Sequence, residues 1–331
     1  MCYRIFGALI VASLIAVLGV AYGQDDRKSA SNSYPTRVVK LVVPFGPGSG
    51  ADILGRLIAD KLSRQWPYSV IVENRAGATG RIAAEYVAKS APDGYTLLLG
   101  NIATHGVDPA LFKGNLHYDP LGDFVPVIML AKTTLALVVL PSFPAKTMPE
   151  LIALAKAQPG KLNYASAGVG SGSHMPMELL KLATGIDIVH VPYKGSGDAL
   201  IALLAGDVSM AFTGPLSVLQ FIKAGKLRAI GVTSTKRAAT LPDVPTISET
   251  VDPGYEADLW FGVLAPAQTP NSVVMAINAA INSALQASDV KARMRELDLE
   301  SAGGAPEQFT DFIKMEITKW TKVINASGIK P

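Results

Sequence analysis

Cysteine is nearly absent from this sequence, since Cys2 is its single instance among 331 residues. One cysteine cannot form an intrachain disulfide, a cysteine-ligated zinc site or an iron–sulfur cluster. Histidine is also scarce, and none of the four histidines has the HExxH spacing that puts two metal ligands on one helical face. The sequence therefore predicts no disulfide framework and no resident metal.

Charged side chains are few and evenly mixed. They make up 17% of the residues, with 30 Lys and Arg against 27 Asp and Glu and no block of like charge. A nucleic-acid interface needs a basic patch, so nucleic acid is not an expected partner. At 49% hydrophobic the chain is too apolar to be disordered, and its length suits one large or two medium domains.

The one long apolar run stands at the N-terminus. Residues 5–20 follow Arg4 without a charge, and Ala21 and Gly23 put small side chains where a signal peptidase reads them, ahead of polar residues. We predict a signal peptide over residues 1–23, cleaved after Gly23. The alternative is an uncleaved membrane anchor, because this stretch approaches the length that spans a bilayer. Cleavage would leave a nearly neutral exported chain.

The rest of the chain repeats a strand, a turn rich in glycine or serine, and a helix. Residues 38–45 (VVKLVVPF) are a β-branched run that ends in a glycine turn, and helical periodicity follows over residues 52–66. Similar units occupy residues 69–90, 162–184 and 189–205. Because strands that alternate with helices form parallel sheets, the predicted fold class is α/β.

The length predicts two such domains, each with its own parallel-rich sheet. Residues 273–322 show helical patterns and no strand, so we expect them to pack on the sheet of the first domain. Prolines cluster at residues 141–149 and 242–253, where the chain would change domain. Two crossing strands would form a hinge.

Glycine turns between a strand and a helix are candidate anion sites. They leave backbone N–H groups at a helix N-terminus, where the helix dipole also favours negative charge. In open α/β sheets these turns share one edge, so turns from two facing domains can meet at one ligand. Four or five turns that are poor in lysine favour a compact carboxylate over a polyphosphate.

A dinucleotide site is one competing hypothesis. Residues 46–51 (GPGSGA) fit the GxGxxA pattern after a strand, and Glu73 ends the next strand. Pro47 removes a backbone N–H from the turn, however, and Asp52 places a negative charge beside the expected pyrophosphate. We therefore predict no cofactor.

A serine hydrolase is the second enzyme hypothesis. Ser171 and His174 could meet at one helix turn, but neither Ser171 nor Ser173 lies in a GxSxG elbow. No carboxylate is placed by the sequence to orient the histidine. Because a serine and a histidine that open a helix usually cap and pack it, we predict no catalytic residues.

Arg81 is the most informative charged residue. It opens a helix just after Thr79 and Gly80, where a cation opposes the helix dipole. One interpretation is a solvated surface arginine. The other is a bidentate partner for the second carboxylate of a dicarboxylic ligand.

Several motifs together resemble one family. They are YPTR (residues 34–37), VVPFGPGSGAD (42–52), VENRAGATG (72–80), APDGYTLLLG (91–100), KLNYASAGVGSGSH (161–174), HVPYKGSGDAL (190–200), AGKLRAIGVTS (224–234) and LPDVPTISE (241–249). In this order they resemble the periplasmic substrate-binding receptors of tripartite tricarboxylate transporters, also called the Bug receptors. The resemblance covers nearly all of the chain that follows the predicted signal peptide.

The resemblance implies a periplasmic binding protein fold of two α/β domains joined by a two-strand hinge. We expect residues 24–128 and 250–331 to form the first domain and residues 129–249 the second. The expected function is capture of a small organic carboxylate in the cleft and its delivery to membrane permease subunits. We expect a periplasmic monomer that is not an enzyme. A structural protein of the cell envelope is a third hypothesis, which predicts no response to small molecules.

The resemblance also implies ligand-binding residues, position by position. In the first domain these are Phe45, Gly46, Gly50, Thr79, Arg81 and Asn101, and in the second Ser166, Ala167, Ser171, His174, Gly195 and Thr213. Many family members have Asp or Asn where Thr213 stands, and several have Asn where Arg81 stands. The missing acidic group disfavours an amino-acid ligand, whose ammonium needs one, and the added arginine favours a dicarboxylate.

Overall fold

The computed structural model describes residues 34–331, so the predicted signal peptide lies outside the described residues. These residues form eleven strands, namely β1 (Val39–Val43), β2 (Val70–Asn74), β3 (Thr96–Asn101), β4 (Phe124–Thr133), β5 (Ala136–Val139), β6 (Asn163–Ser166), β7 (Val189–Pro192), β8 (Met210–Thr213), β9 (Arg228–Val232), β10 (Leu259–Pro266) and β11 (Glu300–Ser301). Within the described range no helix combines the length and the apolar character that crossing a membrane requires.

The same residues form eleven α-helices. They are α1 (Gly50–Gln65), α2 (Arg81–Ala88), α3 (Asp108–Leu111), α4 (Met148–Ala157), α5 (Met175–Thr184), α6 (Ser196–Ala205), α7 (Pro215–Lys223), α8 (Ile247–Thr250), α9 (Asn271–Gln286), α10 (Ser288–Glu296) and α11 (Pro306–Ser327). Two short helical turns precede α2 and α3: a 3₁₀ turn over Ala78–Gly80 and a π-helical turn over Ala103–Val107.

The strands form two sheets. The first has six strands in the order β11-β4-β10-β3-β1-β2, and the second has five in the order β7-β6-β8-β5-β9. Strands β1, β2 and β3 are parallel, as are β6, β7 and β8, which confirms the α/β fold class. Strands β10 and β5 are antiparallel to their neighbours, because each enters its sheet from the other domain without a crossover helix.

Predicted and observed elements agree within a few residues where the sequence has a clear period. Strand β1 is buried at four of its five residues, as a central parallel strand should be. Helix α1 begins where Ser49 accepts a hydrogen bond from the Asp52 backbone N–H at 3.2 Å. The expectation that residues 273–322 contain no strand is wrong, because β11 pairs with β4. Two residues are too short for a sequence pattern.

The chain passes between the sheets twice. Strand β4 stays in the first sheet through Thr133, so the expected limit between residues 128 and 129 falls inside a strand, and we propose residues 134–135 instead. The return lies between β9 and β10. The two segments are joined by hydrogen bonds from Thr233 N to Leu135 O (2.9 Å) and from Leu135 N to Thr233 Oγ1 (2.8 Å). This paired crossing is the candidate hinge.

Three apolar clusters form the core. One lies on the outer face of the first sheet and another on the outer face of the second. The third contains side chains from both sheets, including Val42 and Leu98 from the first and Leu137 and Tyr164 from the second. Helix α11 packs on α3, on the π-helical turn and on α5, so the C-terminal helix bridges the two halves.

Candidate functional site

Three loops of the first domain converge at Gly80, which has a φ of +108°. A Cβ atom on Gly80 would lie 2.9 Å from Thr104 Cγ2, 3.0 Å from Pro44 Cβ and 3.5 Å from Asn101 Nδ2. The loops that follow β1, β2 and β3 therefore meet at this glycine. Only a residue without a side chain fits both the space and the backbone angle.

The turn before Gly80 is strained. Ala78 and Thr79 have φ angles of 49° and 54°, which non-glycine residues rarely adopt. The Thr79 hydroxyl donates to Ala78 O at 2.7 Å and so supports the turn locally. Strain of about 1–3 kcal/mol per residue persists only where the surroundings impose it, and it concentrates at ligand sites.

Asn101 ends β3 with its side chain buried and one group unpaired. Its Oδ1 atom accepts hydrogen bonds from Ala103 N at 2.8 Å and Thr104 N at 3.3 Å. Its Nδ2 atom has no acceptor within the described part of the chain. A buried amide that lacks an acceptor costs about 1–3 kcal/mol, so Asn101 is a group that a ligand oxygen would complete.

The turn after β1 contains Phe45, Gly46 and Gly50. Phe45 O accepts a hydrogen bond from Asn74 Nδ2 (2.9 Å) and Gly46 O from Ser49 N (3.3 Å), while Gly50 begins α1.

A carboxylate of the protein itself occupies the N-terminus of α1. Asp52 accepts from Arg56 Nε at 3.0 Å and from Gly48 N at 2.9 Å. These bonds, that of Arg56 foremost, lower the pKa of Asp52 to about 2. The dinucleotide hypothesis required a pyrophosphate at this turn. The buried negative charge of Asp52 disfavours a phosphate there.

Arg81 is partly buried and has one distant carboxylate partner. Its guanidinium carbon lies 3.5 Å from the centroid of the Phe112 ring. Its Nη1 atom lies 4.0 Å from Asp108 Oδ1, and 22% of its side chain is exposed. Arg81 is thus partly buried against Phe112 and partly exposed, which leaves both interpretations of this residue open.

The serines of the loop after β6 form short hydrogen bonds with other groups of the second domain. Ser166 Oγ lies 2.6 Å from His190 Nε2 and accepts from Gly168 N at 3.1 Å. Ala167 N donates to Ser173 Oγ at 2.9 Å. Sequence reasoning missed Ser173 and His190, although both belong to motifs that it identified, at KLNYASAGVGSGSH and HVPYKGSGDAL.

Ser171 and His174 do not form a nucleophile and base. Ser171 Oγ contacts Ser173 Oγ at 3.2 Å, and His174 Nδ1 accepts from Gly170 N at 3.0 Å. The His174 ring stacks on His190 with 3.9 Å between centroids. Burial lowers the pKa of His174 to about 3 and that of His190 to about 4, so both rings are neutral at pH 7.

Gly195 and Thr213 lie at the same edge of the second sheet. Gly195 is the N-cap of α6, and the chain just before it lies beside Gly168, whose Cβ would be 3.6 Å from Tyr193 O. Thr213 ends β8, which pairs with β6 in parallel register from Tyr164↔Met210 to Ala165↔Ala211. This register places Thr213 next to Ala167.

The loop after β6 in the second domain contacts the first domain. A Cβ on Gly172 would lie 2.1 Å from Leu259 Cδ2 and 3.4 Å from Ile102 Cγ2, beside Asn101. A Cβ on Gly170 would lie 2.6 Å from Leu111 Cδ2. The loop that contains Ser171 therefore lies against the first domain next to Asn101, while no contact described here brings Phe45, Gly46 or Gly50 to the second domain. Surface depressions of about 320 and 270 Å³ lie at the opposite edge of the second sheet.

The sequence matches the family described as Tripartite tricarboxylate transporter family receptor over residues 54–329. The chain belongs to this family. It is 36% identical to Protein BugT of Bordetella pertussis over 321 residues, which cover 97% of each chain.

Solved structures of similar proteins share the fold. R. palustris Rpa4515 with adipate is 38% identical, with a TM-score of 0.81 over 90% of this chain and 99% of that one. MatC (Rpa3494) from Rhodopseudomonas palustris with bound malate is 35% identical, with a TM-score of 0.77 over 88% and 100%. The two-domain periplasmic binding protein fold is confirmed. The protein is a solute-binding receptor of a periplasmic family and not an enzyme, which overturns both enzyme hypotheses.

Proposed function

We propose that this receptor captures a small dicarboxylate between its two sheets and delivers it to membrane permease subunits. The single observation that carries the proposal is the buried, unpaired Nδ2 atom of Asn101 at the point where three loops meet. A carboxylate oxygen is an acceptor of the right chemistry for it. The two similar structures named above hold adipate and malate, which both carry two carboxylates.

One carboxylate would bind at Asn101 and the backbone around Gly80. The turn over Ala78–Gly80 would orient the backbone N–H groups of Ala78 and Thr79 into a concave anion site, since Gly80 N already donates to Gly77 O at 2.9 Å. These donors carry no charge, so they suit a carboxylate that is also held elsewhere by a cation.

The second carboxylate would bind Arg81. Its stacking on Phe112 leaves the fork of N–H donors partly exposed at the domain junction. The second domain would contribute neutral groups, namely Ser166, the Ala167 backbone, Ser171, His174, Gly195 and Thr213. Because both buried histidines there are neutral at pH 7, Arg81 supplies the positive charge of the site.

Delivery would follow closure of the two domains on the ligand, with the paired crossing at Leu135 and Thr233 as hinge. A receptor that closes presents a different surface to its permease when loaded than when empty. We propose a periplasmic monomer, exported by the signal peptide over residues 1–23, that needs no cofactor and binds no nucleic acid.

Binding measurements on matched ligands test the proposal. Adipate and malate should raise the melting temperature, whereas monocarboxylates of the same length should do so less, because stabilisation follows ligand affinity. Arg81→Ala should lower the dicarboxylate affinity about 10- to 100-fold, the equivalent of ~1.5–3 kcal/mol for a charged hydrogen bond.

Arg64→Ala is the control, since Arg64 is an exposed arginine that pairs with Asp60 far along α1. It should leave affinity unchanged. A receptor that no dicarboxylate stabilises would contradict the proposed ligand class, and a response to no small molecule would instead support a structural role. Unchanged affinity in Arg81→Ala would remove Arg81 from the site.

A further inference from the structure

Asp108 is a fully buried carboxyl next to Arg81. It opens α3, and none of its side chain is exposed. Its Oδ1 atom has no hydrogen-bond donor among residues 34–331, and the nearest cation is Arg81 Nη1 at 4.0 Å. That distance is too long for a hydrogen bond, so an ionised Asp108 depends on the charge of Arg81 across a gap.

Tyr118 provides an acceptor for Asp108 when that carboxyl is protonated. The Tyr118 hydroxyl donates to Thr104 O at 2.7 Å, and Asp108 Oδ2 lies 3.3 Å from the same hydroxyl oxygen. A hydroxyl has one hydrogen, and the shorter bond uses it. A protonated Asp108 can therefore donate to the Tyr118 oxygen across the longer contact. Burial raises the pKa of Asp108 to about 7, against the lowering effect of Arg81.

We propose that Asp108 is the resident counter-ion of Arg81, and that a ligand carboxylate replaces it while Asp108 takes up one proton from solvent. This inference rests on the proposed function, in which Arg81 binds the second carboxylate. In the empty receptor, Arg81 and ionised Asp108 form a neutral pair. In the loaded receptor, Arg81 pairs with the ligand and the protonated Asp108 donates to Tyr118. In each state the guanidinium of Arg81 faces one carboxylate, that of Asp108 in the empty receptor and the second carboxylate of the ligand in the loaded one.

Arg81 lies where such an exchange is sterically simple. Its guanidinium rests on the Phe112 ring and is not locked by a hydrogen bond to Asp108. Leu111, the neighbour of Phe112, lies against the Gly170 loop of the second domain. A rotation of the end of the Arg81 side chain, with Phe112 as a platform, would thus turn the guanidinium from Asp108 toward the junction.

Other ionisable groups face Asp108 from the elements packed around it. His105 in the π-helical turn is neutral, because burial lowers its pKa to about 3. His174 behind the Gly170 loop is neutral for the same reason. Among the described residues, the further ionisable groups are Glu85 on α2, which lies 3.4 Å from the exposed His117, and Glu316 and Lys319 on α11, which pair with each other. Asp108 is therefore the group whose proton responds to a change at Arg81.

The exchange predicts weaker dicarboxylate binding as pH rises above neutrality. A bound carboxylate screens Asp108 from Arg81, so the pKa of Asp108 is higher in the complex than its value of about 7 in the empty receptor. Binding is at full strength below the lower pKa and is lost as pH rises toward the higher one. With one proton taken up, affinity falls by at most about tenfold per pH unit in that window.

Isothermal titration calorimetry at pH 7.5, in two buffers with different ionisation enthalpies, measures the protons taken up with each ligand. With adipate or malate as the probe, the wild-type receptor should take up a substantial fraction of one proton, and its affinity should fall between pH 7 and pH 8.5. The probes themselves are fully ionised in this range. In Asp108→Asn, whose amide donates to Tyr118 as the protonated acid does, binding should persist without proton uptake or pH dependence.

Asp298→Asn is the matched control, because burial also raises the pKa of Asp298 but that carboxyl accepts from Thr240, away from the site and the hinge. It should keep the proton uptake. Wild-type binding without uptake, or uptake that survives in Asp108→Asn, would contradict the exchange and leave the proposed function intact. If neither probe binds at all, both fail. If Asp108→Asn does not fold, carboxyl ¹³C NMR of the wild-type receptor replaces it. The pH at the midpoint of the Asp108 titration must then rise when the ligand binds.

Discussion

At the scale of single residues, the site is defined by polar groups that lack a close hydrogen-bond or ion-pair partner among the described residues. Asn101 Nδ2 lacks an acceptor, and Arg81 has a counter-ion that it does not touch. The serines and histidines of the second domain, by contrast, satisfy one another. The motifs identified Asn101 and Arg81 in the sequence. Asp108 and Phe112 could not be found that way, because their importance depends on contacts with Arg81 across some 30 residues of chain.

Asn101→Ala tests the incomplete group directly. Removal of an amide that a ligand oxygen completes should lower affinity for the dicarboxylate by about 5- to 150-fold, corresponding to ~1–3 kcal/mol. The empty receptor should also lose stability, because Asn101 Oδ1 accepts from Ala103 N and Thr104 N, so affinity is measured on the folded variant. Fluorescence titration with adipate and urea unfolding of the empty protein measure the two effects.

Asn115→Ala is the control for that substitution, since Asn115 is an exposed asparagine in the turn after α3. It should bind as the wild type does. Unchanged affinity in folded Asn101→Ala would mean that Asn101 supports the loop and does not contact the ligand.

At the scale of elements, strand β10 organises the first sheet. It lies between β4 and β3, and all but one of its eight residues are buried. The sequence did not reveal it, because LWFGVLAP has no alternation of apolar and polar residues to mark a strand. Units with a glycine turn and an amphipathic helix were predictable, since local patterning and turn chemistry coincide there.

Gly262→Ala should destabilise the protein through β10. A Cβ there would lie 2.1 Å from Phe309 Cζ of α11 and 2.9 Å from the Ile128 backbone oxygen of β4. A ring could turn aside, but the strand backbone cannot, so we expect a loss of about 3 kcal/mol. Urea unfolding measures it.

Gly197→Ala is the comparison, because no atom lies within 4 Å of that Cβ position near the start of α6. It should be neutral or stabilising by up to ~1 kcal/mol. Equal stability of the two variants would show that α11 and β4 yield to the added methyl group.

At the scale of the whole molecule, the two domains are held together by more than the paired crossing. One apolar cluster contains side chains of both sheets, and Tyr255 donates to Pro176 O at 2.9 Å beneath the cleft. The periplasmic binding protein architecture followed from the repeated units and the resemblance. The extent of this shared core could not be predicted from the sequence, because it depends on how the two sheets face each other.

Gly172→Leu should hold the domains apart. The new side chain would occupy the space of Leu259 and Ile102 on the first domain. We expect an unchanged circular dichroism spectrum, a larger radius of gyration in small-angle scattering, and weaker dicarboxylate binding. A tenfold loss of dicarboxylate affinity would mean that the substitution shifts the equilibrium between the closed and open forms by ~1.4 kcal/mol toward the open form.

Gly254→Leu is the control, in an exposed part of the second crossing. It should change neither the radius of gyration nor the dicarboxylate affinity, because only the Asp252 side chain comes within 4 Å of its Cβ position. If Gly172→Leu keeps the scattering profile of the wild type, the Gly172 loop does not set the distance between the domains.

The position of β10 has a consequence for the order in which the protein assembles. Synthesis runs from the N-terminus, and β4 has no link to β3, β1 and β2 until residues 259–266 emerge between them. The second sheet, whose five strands end at Val232, is complete earlier. A chain that has emerged as far as residue 258 therefore has one complete sheet and one incomplete sheet, and holdase chaperones or proteases would meet the incomplete sheet first.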